Sequence, residues 1–302
     1  CKALGIDPVF AVTDDGRYRD DWLWLAGQGS VINTKFNGPE GPILTDLREA
    51  GALLSASDFR HSYPHSWRSK ARIIYRCTPQ WFIPMDKPVS DGVTPRCAEE
   101  EAILARQGNG ATLRQTALDA IDNTRWVPRR STNRIHSMVE GRPDWVISRQ
   151  RAWGVPIALY VHRQTGEYLN DPAVNARIVE AFRQGGADAW FGADHQALLG
   201  ADYALADYDV VNDILDVWFD SGSTHSFVVE QRYGKGVRAD LYLEGSDQHR
   251  GWFQSSLLES CGTRGRAPYG AVLTHGFALD GQGRKMSKSL GNVVDPLKIM
   301  SE

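Results

Sequence analysis

Two lysines three residues apart, Lys285 and Lys288, sit in the run Lys285-Met286-Ser287-Lys288-Ser289 among small or unbranched side chains. Asp280-Gly281-Gln282-Gly283 reads as a flexible turn before them, and Gly291-Asn292 follows, so both ammonium groups are expected on a mobile arm. Cations delivered in that way suit phosphoryl chemistry, in which charge on the phosphoryl oxygens builds up in the transition state. The competing reading is a solvated basic loop, the ordinary fate of a lysine pair. A second polar constellation lies upstream, in Glu244-Gly245-Ser246-Asp247-Gln248-His249, and a third is His275-Gly276.

The elements around these residues give them a common place. Leu241-Tyr242-Leu243 reads as a short strand, Gly251 to Ser260 as a helix with Trp252, Phe253 and Leu257 at helical spacing, and Ala271 to Thr274 as a second strand. Strand, helix and strand in so few residues predict a right-handed crossover in a parallel sheet. Ligands in such sheets bind beyond the carboxyl ends of the strands, where Glu244-Gly245 and His275-Gly276 fall. Asp247, Gln248 and His249 are expected at the N-terminus of the intervening helix, which favours an anionic or strongly polar ligand. The glycines at 245 and 276 would let that ligand approach the backbone. Alternatively, Glu244 merely caps the helix and His275 is a satisfied structural histidine; two polar clusters at adjacent strand ends weigh against that pairing of coincidences.

Upstream, the chain changes character several times. Turn signals stand at Asp15-Gly16 and Gly38-Pro39, and a helix is expected from Ile43 to Ala50 with Gly51 just beyond its end. Residues 61–85 are aromatic and β-branched, with Arg72 to Arg76 the clearest strand candidate. Residues 86–112, with the acidic run Glu99-Glu100-Glu101, read as a surface insertion whose carboxylates are a solvated helix start rather than a metal site. Leu113, Ala117 and Ile121 predict a helix over 112–122, followed by the basic section Arg129 to Arg134. Tyr160 to Tyr168 reads as a hairpin turning at Thr165-Gly166.

Composition bounds the class. A chain of 302 residues, 42% hydrophobic, can bury a sizeable core and exceeds the usual single-domain size. The net charge of −3 and pI of 6.3 give no global basic field, so nucleic acid would be held by local patches. Arg68, Arg72, Arg76, Arg129, Arg130, Arg134, Arg149 and Arg151, beside Trp67, Trp126 and Trp153, could form one. Cys1, Cys77, Cys97 and Cys261 contain no Cys-x-x-Cys pair, which argues against a disulfide framework and a zinc ribbon and for a reducing, cytoplasmic setting. His61 and His65, four apart with Ser66 beside them, fit an ordinary surface strand better than a metal site. The start at Cys1 and the stop at Ser301-Glu302 within a helical pattern suggest a piece of a longer chain.

The lysine run resembles the mobile ATP-binding loop of class I aminoacyl-tRNA synthetases, and Glu244 to Phe253 resembles the adenylate-binding segment of their bacterial isoleucine family. The likeness extends to His61 to Arg68, Thr78 to Ile83, Arg142 to Pro156, Asp216 to Ser223 and Thr274 to Phe277, leaving out the insertion near 87–112. The valine and leucine enzymes share the lysine loop but not usually Glu-Gly-Ser-Asp-Gln-His-Arg-Gly-Trp, so the isoleucine assignment rests on that run.

This resemblance implies an α/β fold: the second half of a Rossmann-like parallel sheet (residues 206–302), a connective segment (58–205) and the C-terminal remainder of a β-rich editing domain (1–57). It implies ligase chemistry, in which isoleucine is activated with ATP and its Mg2+ to the adenylate and passed to tRNA(Ile), in a cytoplasmic monomer without membrane contact. Glu244, Gly245, Asp247 and Gln248 match residues that contact the adenylate, and His275 one on the nucleotide side. Trp218 and Trp252 match aromatic walls near the aliphatic side chain, although large aromatics more often simply pack in cores. Lys288 matches the ATP-contacting lysine of the Lys285-Met286-Ser287-Lys288-Ser289 loop, with Lys285 its partner. The His-x-Gly-His tetrapeptide that such enzymes also need does not occur in the chain, so the isolated chain is expected to be inactive. No zinc is expected within it. Two other classes remain in view: a tRNA-binding module without catalysis, and an editing deacylase fragment.

Overall fold

The structure is a computed structural model that describes residues 4–5, 10–21, 31, 36, 38–66, 69–76, 78–88 and 111–301. Cys1, Cys77 and Cys97, Trp67 and Arg68, and the Glu99 to Glu101 run lie outside the described residues. The chain divides into two compact units, Cys1–Pro79 and Gln80–Glu302.

In the first unit the Asp15-Gly16 turn forms as expected, with Gly16 at φ 75° and Val12 bridged to Tyr18. Helix α1 (Pro42–Glu49) starts with its proline in the first turn, and Gly51 at φ 65° ends it in the left-handed conformation that only glycine adopts cheaply. The Arg72 to Arg76 run is not a strand. One antiparallel bridge, His65 to Arg72, and the bonds Ser66 N to Ala71 O (2.8 Å) and Ile73 N to Pro64 O (3.2 Å) make a short hairpin instead. Beyond Ile73 the β-branched residues pack by side chain: Ile74 lies against Gly16.

The second unit holds the predicted sheet and more. After β1 (Phe82–Ile83) comes α2 (Leu113–Asp122), whose N-cap Thr112 accepts from Gln115 N at 3.2 Å and whose Leu113, Ala117 and Ile121 are buried as their spacing requires. Strand β2 (Arg125–Val127) follows, and the basic section becomes helix α3 (Ser131–Glu140), which buries Ile135 and Val139. Short strands β3 (Trp145–Val146) and β4 (Ser148–Arg149) lead to β5 (Tyr160–His162). The hairpin after β5 turns at Gly166 (φ 71°), with His162 N bonded to Glu167 O at 2.8 Å. Helices α4 (Pro172–Gly185) and α5 (His195–Leu199) and strand β6 (Tyr208–Val210) complete a satellite core of Tyr160, Val174, Ile178, Trp190 and Leu199.

Strand β7 (Ile214–Leu215) and α6 (Val217–Gly222) then lead to β8 (Ala239–Gly245), α7 (Trp252–Arg264) and β9 (Tyr269–His275). Strands β8 and β9 are parallel, as the crossover pattern requires, and β2 adds on the other side of β9, also parallel. The sheet order is therefore β2-β9-β8, with its first strand drawn from residues expected in the connective segment. Phe253, Leu257, Leu258 and Cys261 of α7 pack with Tyr242, Tyr269 and Val272 of the strands and with Leu113, Ile121, Trp126 and Ile135. Among the described residues no helix is long and apolar enough to cross a membrane.

Candidate active site

The parallel register puts Glu244 beside Thr274 and Gly245 beside His275. The two polar clusters that were distant in sequence thus share one sheet end. The third strand joins them, since Thr274 Oγ1 donates to Val127 O (3.3 Å) and lies 3.1 Å from Ser131 Oγ at the start of α3. Gly245 is held at an ordinary φ of −67°, so backbone freedom is not what glycine supplies there. A Cβ would stand 2.7 Å from Asp247 Oδ1 and 3.7 Å from the His275 ring. The His275 Nδ1 to Gly276 O bond (2.7 Å) fixes the proton of the neutral ring on Nδ1, because a carbonyl only accepts, and leaves Nε2 as an acceptor. Glu244, Asp247 and His275 are all exposed.

Of the residues expected together at the helix N-terminus, Asp247 and Gln248 stay and His249 leaves. Ser246–His249 form a tight 3-10 turn ahead of α7. Gln248 Oε1 accepts the Trp252 N–H (3.0 Å) while its Nε2 donates to Asp247 Oδ2 (3.3 Å), so Gln248 is the group that caps α7. His249 is only 1% exposed: its Nδ1 donates to Ser246 O (2.8 Å), its ring stacks on Trp126, and burial pushes its pKa down. It is a neutral core histidine, which corrects its placement beside a ligand.

The two tryptophans meet the same turn. Trp252 stacks face to face on Tyr242 (centroids 4.0 Å apart, 6° between planes) and its Nε1 donates to Ser221 O (3.0 Å). Trp218 is 43% exposed and lies against Gly251, where a Cβ would come within 2.8 Å of its ring and 2.6 Å of Gln248 Oε1. Its backbone is set by Asp216, whose Oδ1 accepts the Trp218 N–H (2.7 Å) while Oδ2 pairs with Arg149. Trp218 lines two cavities, one of about 330 Å³ with Arg142, Trp145, Gly251 and Gln254, and one of about 360 Å³ with Arg151, Trp153 and Ile214. In the wall of the first, Arg142 donates to Gln254 Oε1 at 2.6 Å and burial lowers its pKa.

The lysine arm has more internal order than its glycines suggested. Leu279 and Lys285 form an antiparallel bridge, and Met286 N bonds to Ala278 O (2.9 Å). Asp280 is the hub. It accepts from Asn292 Nδ2 (2.9 Å), from Arg284 N (2.9 Å) and Nε (2.9 Å) and from Gln282 N (3.0 Å), and these bonds, Asn292's first, hold its carboxyl down at about 2. Asn292 also accepts from Ser287 N (2.9 Å), inside the lysine run. Lys285 Nζ sits 3.6 Å from the Phe277 ring centroid, a cation–π contact that turns it back on its own hairpin, whereas Lys288 is exposed. Met286 and Ser287 are half-buried and Ser289 exposed.

Thus Glu244, Gly245, Asp247, Gln248 and His275 are brought to one sheet end, and Trp218 and Trp252 to the turn beside it. Neither Trp218 cavity is lined by Glu244, His275 or the lysines. The capping by Gln248 and the Asp280–Asn292 hub escaped the sequence; an aspartate opening a glycine turn and an asparagine twelve residues later was the available signal. Among the described residues no group of three or more His, Cys, Asp or Glu could hold a metal ion.

The sequence model of the family described as tRNA synthetases class I (I, L, M and V) matches residues 17–302. The isoleucine–tRNA ligase of Zymomonas mobilis subsp. mobilis is 68% identical over 302 residues, covering 100% of this chain and 31% of that protein. That of Caulobacter vibrioides is 56% identical over 297 residues, 96% of this chain and 29% of that protein. The chain therefore spans about 30% of the length of these relatives. A solved methionyl-tRNA synthetase from Mycobacterium tuberculosis, bound by methionyl-adenylate, shares 20% identity over 63% of this chain and 28% of its own, with a TM-score of 0.36.

Proposed function

Because the chain belongs to the class I tRNA synthetases of the I, L, M and V group, we propose that its sheet end is part of a site that activates isoleucine with ATP and passes it to tRNA(Ile). The observation that carries this reading is the register of Glu244 with Thr274 and Gly245 with His275, which sets two acceptor-bearing side chains around a glycine gap at the carboxyl ends of parallel strands. The 68% identity to an isoleucine–tRNA ligase supports isoleucine over the valine and leucine alternatives.

In this reading Glu244 and Asp247 hold donor groups of the adenylate, Gly245 admits its backbone-level approach, and Gln248 fixes the turn through its cap on α7. His275 borders the nucleotide, accepting through Nε2. Trp218 and Trp252 wall the aliphatic side chain, and Gly251 lets the Trp218 ring close on the turn. The isoleucine carboxylate attacks the α-phosphorus of ATP and pyrophosphate leaves; Mg2+ enters with the triphosphate and shields its charge. Lys288 and Lys285, in the run with Met286, Ser287 and Ser289, meet the phosphates as that charge moves. Lys285 first has to leave Phe277, a contact worth about 0.5–1 kcal/mol at an exposed position, so its release is cheap. Residues 206–302 would then contribute to the catalytic fold, 58–205 to its connective segment and 1–57 to an editing domain, in a cytoplasmic monomer.

The test is a graft. Residues 1–302 replace the matching segment of the Zymomonas mobilis ligase, and amino-acid-dependent ATP–pyrophosphate exchange is measured with isoleucine, valine and leucine. Exchange led by isoleucine supports the reading; exchange led by valine or leucine, or none in a folded graft, overturns it.

A further inference from the structure

The first unit carries a row of rings that the adenylate reading does not use. Phe59, His61, Tyr63 and His65 alternate along an extended segment, and their rings follow one another in a ladder. Phe59 stacks on His61 (centroids 5.6 Å, 18°), His61 meets Tyr63 edge-on (6.2 Å) and Tyr63 meets His65 (6.3 Å, 90°). Alternation with period two puts all four on one side of the segment. The backbone holds the rings in place: His61 Nδ1 donates to Ser62 O (3.1 Å), His65 Nδ1 to Tyr63 O (2.8 Å) and Tyr63 OH to Ile73 O (2.9 Å).

This row does not bury itself. Phe59 is 81% exposed, both histidines are exposed, and Tyr63 is 37% exposed. An ordered, solvent-facing aromatic row is the form of surface on which bases stack, because every base has a π face.

Charge points to the same partner. Residues 59–76 contain Arg60, Arg68, Lys70, Arg72 and Arg76 and no carboxylate, in a chain whose net charge is −3. Arg76 is engaged by Asp14 of the neighbouring turn. Arg60, Lys70 and Arg72 are exposed, and the bridge from His65 to Arg72 sets Arg72 beside the last ring. An extended row of rings with a cation beside its last member matches a single-stranded polyanion better than a duplex, whose bases are already stacked on one another.

We propose that Phe59, His61, Tyr63 and His65 form a stacking platform for the unpaired bases of a nucleic acid strand, with Lys70 and Arg72 meeting its phosphates. This goes beyond the adenylate reading and deepens its tRNA partner: the unpaired part of such a molecule, rather than its helices, would lie here.

The experiment is fluorescence anisotropy of the 302-residue chain with a labelled eight-nucleotide single strand and with the same sequence as a duplex, without ATP or isoleucine. The single strand is expected to bind more tightly. Its affinity should fall with a log–log salt slope of about 1.4, two phosphates at roughly 0.7 each. Phe59→Ala with His61→Ala should weaken single-strand binding roughly fivefold to a hundredfold per lost base contact and leave duplex binding unchanged. Phe59→Trp with His61→Phe should restore it. Both pairs lie at exposed positions, so an unchanged thermal unfolding curve confirms that the fold is intact. Equal affinity for duplex and single strand, an unchanged alanine variant, or equal competition by polyglutamate would each overturn the proposal. None of these outcomes touches the graft experiment, so the two readings fail separately.

Discussion

Replacing Glu259 with glutamine should stabilise this protein, and by an amount that grows with pH. Glu259 lies on the buried side of α7, 8% exposed, with no partner for Oε1. It faces Gly222, where a Cβ would be 2.1 Å from that oxygen, so it fills the seam between α6 and α7. Burial first, and the Asp220 carboxylate second, push its pKa up from 4.5 to about 9. The folded chain therefore holds this proton while the unfolded chain releases it. Stability from the neutral acid is complete below pH 4.5 and drains away as pH rises toward 9. Each unit costs about 1.4 kcal/mol, so the order of magnitude lost by neutral pH is about 3 kcal/mol. Glutamine has nearly the same shape and no proton to lose. Urea unfolding followed by tryptophan fluorescence, at pH 5 through 8, should give similar midpoints for wild type and Glu259→Gln near pH 5. Near pH 7.5 the variant should be more stable by about 2–3 kcal/mol at unchanged slope. A difference that does not grow with pH, or a variant less stable at pH 7.5, would refute the neutral buried acid. The position matters to the site because this seam seats the helix that carries Trp218.

Four other outcomes follow from the same geometry. In the grafted ligase, Lys288→Ala should slow adenylate formation in the burst phase far more than it raises the isoleucine KM, since its contact belongs to the transition state; an unchanged burst removes Lys288 from the chemistry. Glu244→Ala should cost about 1.5–3 kcal/mol in activation efficiency, the range for a charge-assisted bond, and normal exchange would move the site away from the sheet end. Gly251→Ala drives a methyl into the Trp218 ring and Gln248, so thermal unfolding should show a loss of about 1–3 kcal/mol together with weaker isoleucine activation. Asp280, held at about 2, stays ionised well below the ordinary carboxylate range, so the order it gives the lysine loop is present above pH 4 and is lost only as pH falls through about 2; Asp280→Asn should speed tryptic cleavage after Lys285 at pH 7.5, and equal rates would show that the hub does not hold the loop.

The sequence alone determined the parts of this protein whose physics is local. Leu113, Ala117 and Ile121 recur on one helical face, Gly51 and Gly166 stand where a positive φ is needed, and a strand, a helix and a strand between Ala239 and His275 leave little besides a parallel crossover. The polar clusters at Glu244 and His275 were legible for the same reason, because strand ends follow from strand boundaries. What tertiary structure decided was everything set by packing between distant segments. Strand β2 is three residues long, opens on an arginine and runs into Pro128, and becomes a strand only because β9 offers it an edge. Arg72 to Arg76 has strand composition but no partner edge beyond Ile73, so composition overstated it. His249, Gln248 and Asp247 are neighbours in sequence, yet a 3-10 turn sends one into the core, one onto the helix cap and one to solvent. The environment of a side chain depends on what the rest of the chain packs around it, and that is a sum over contacts which residue type and spacing do not contain.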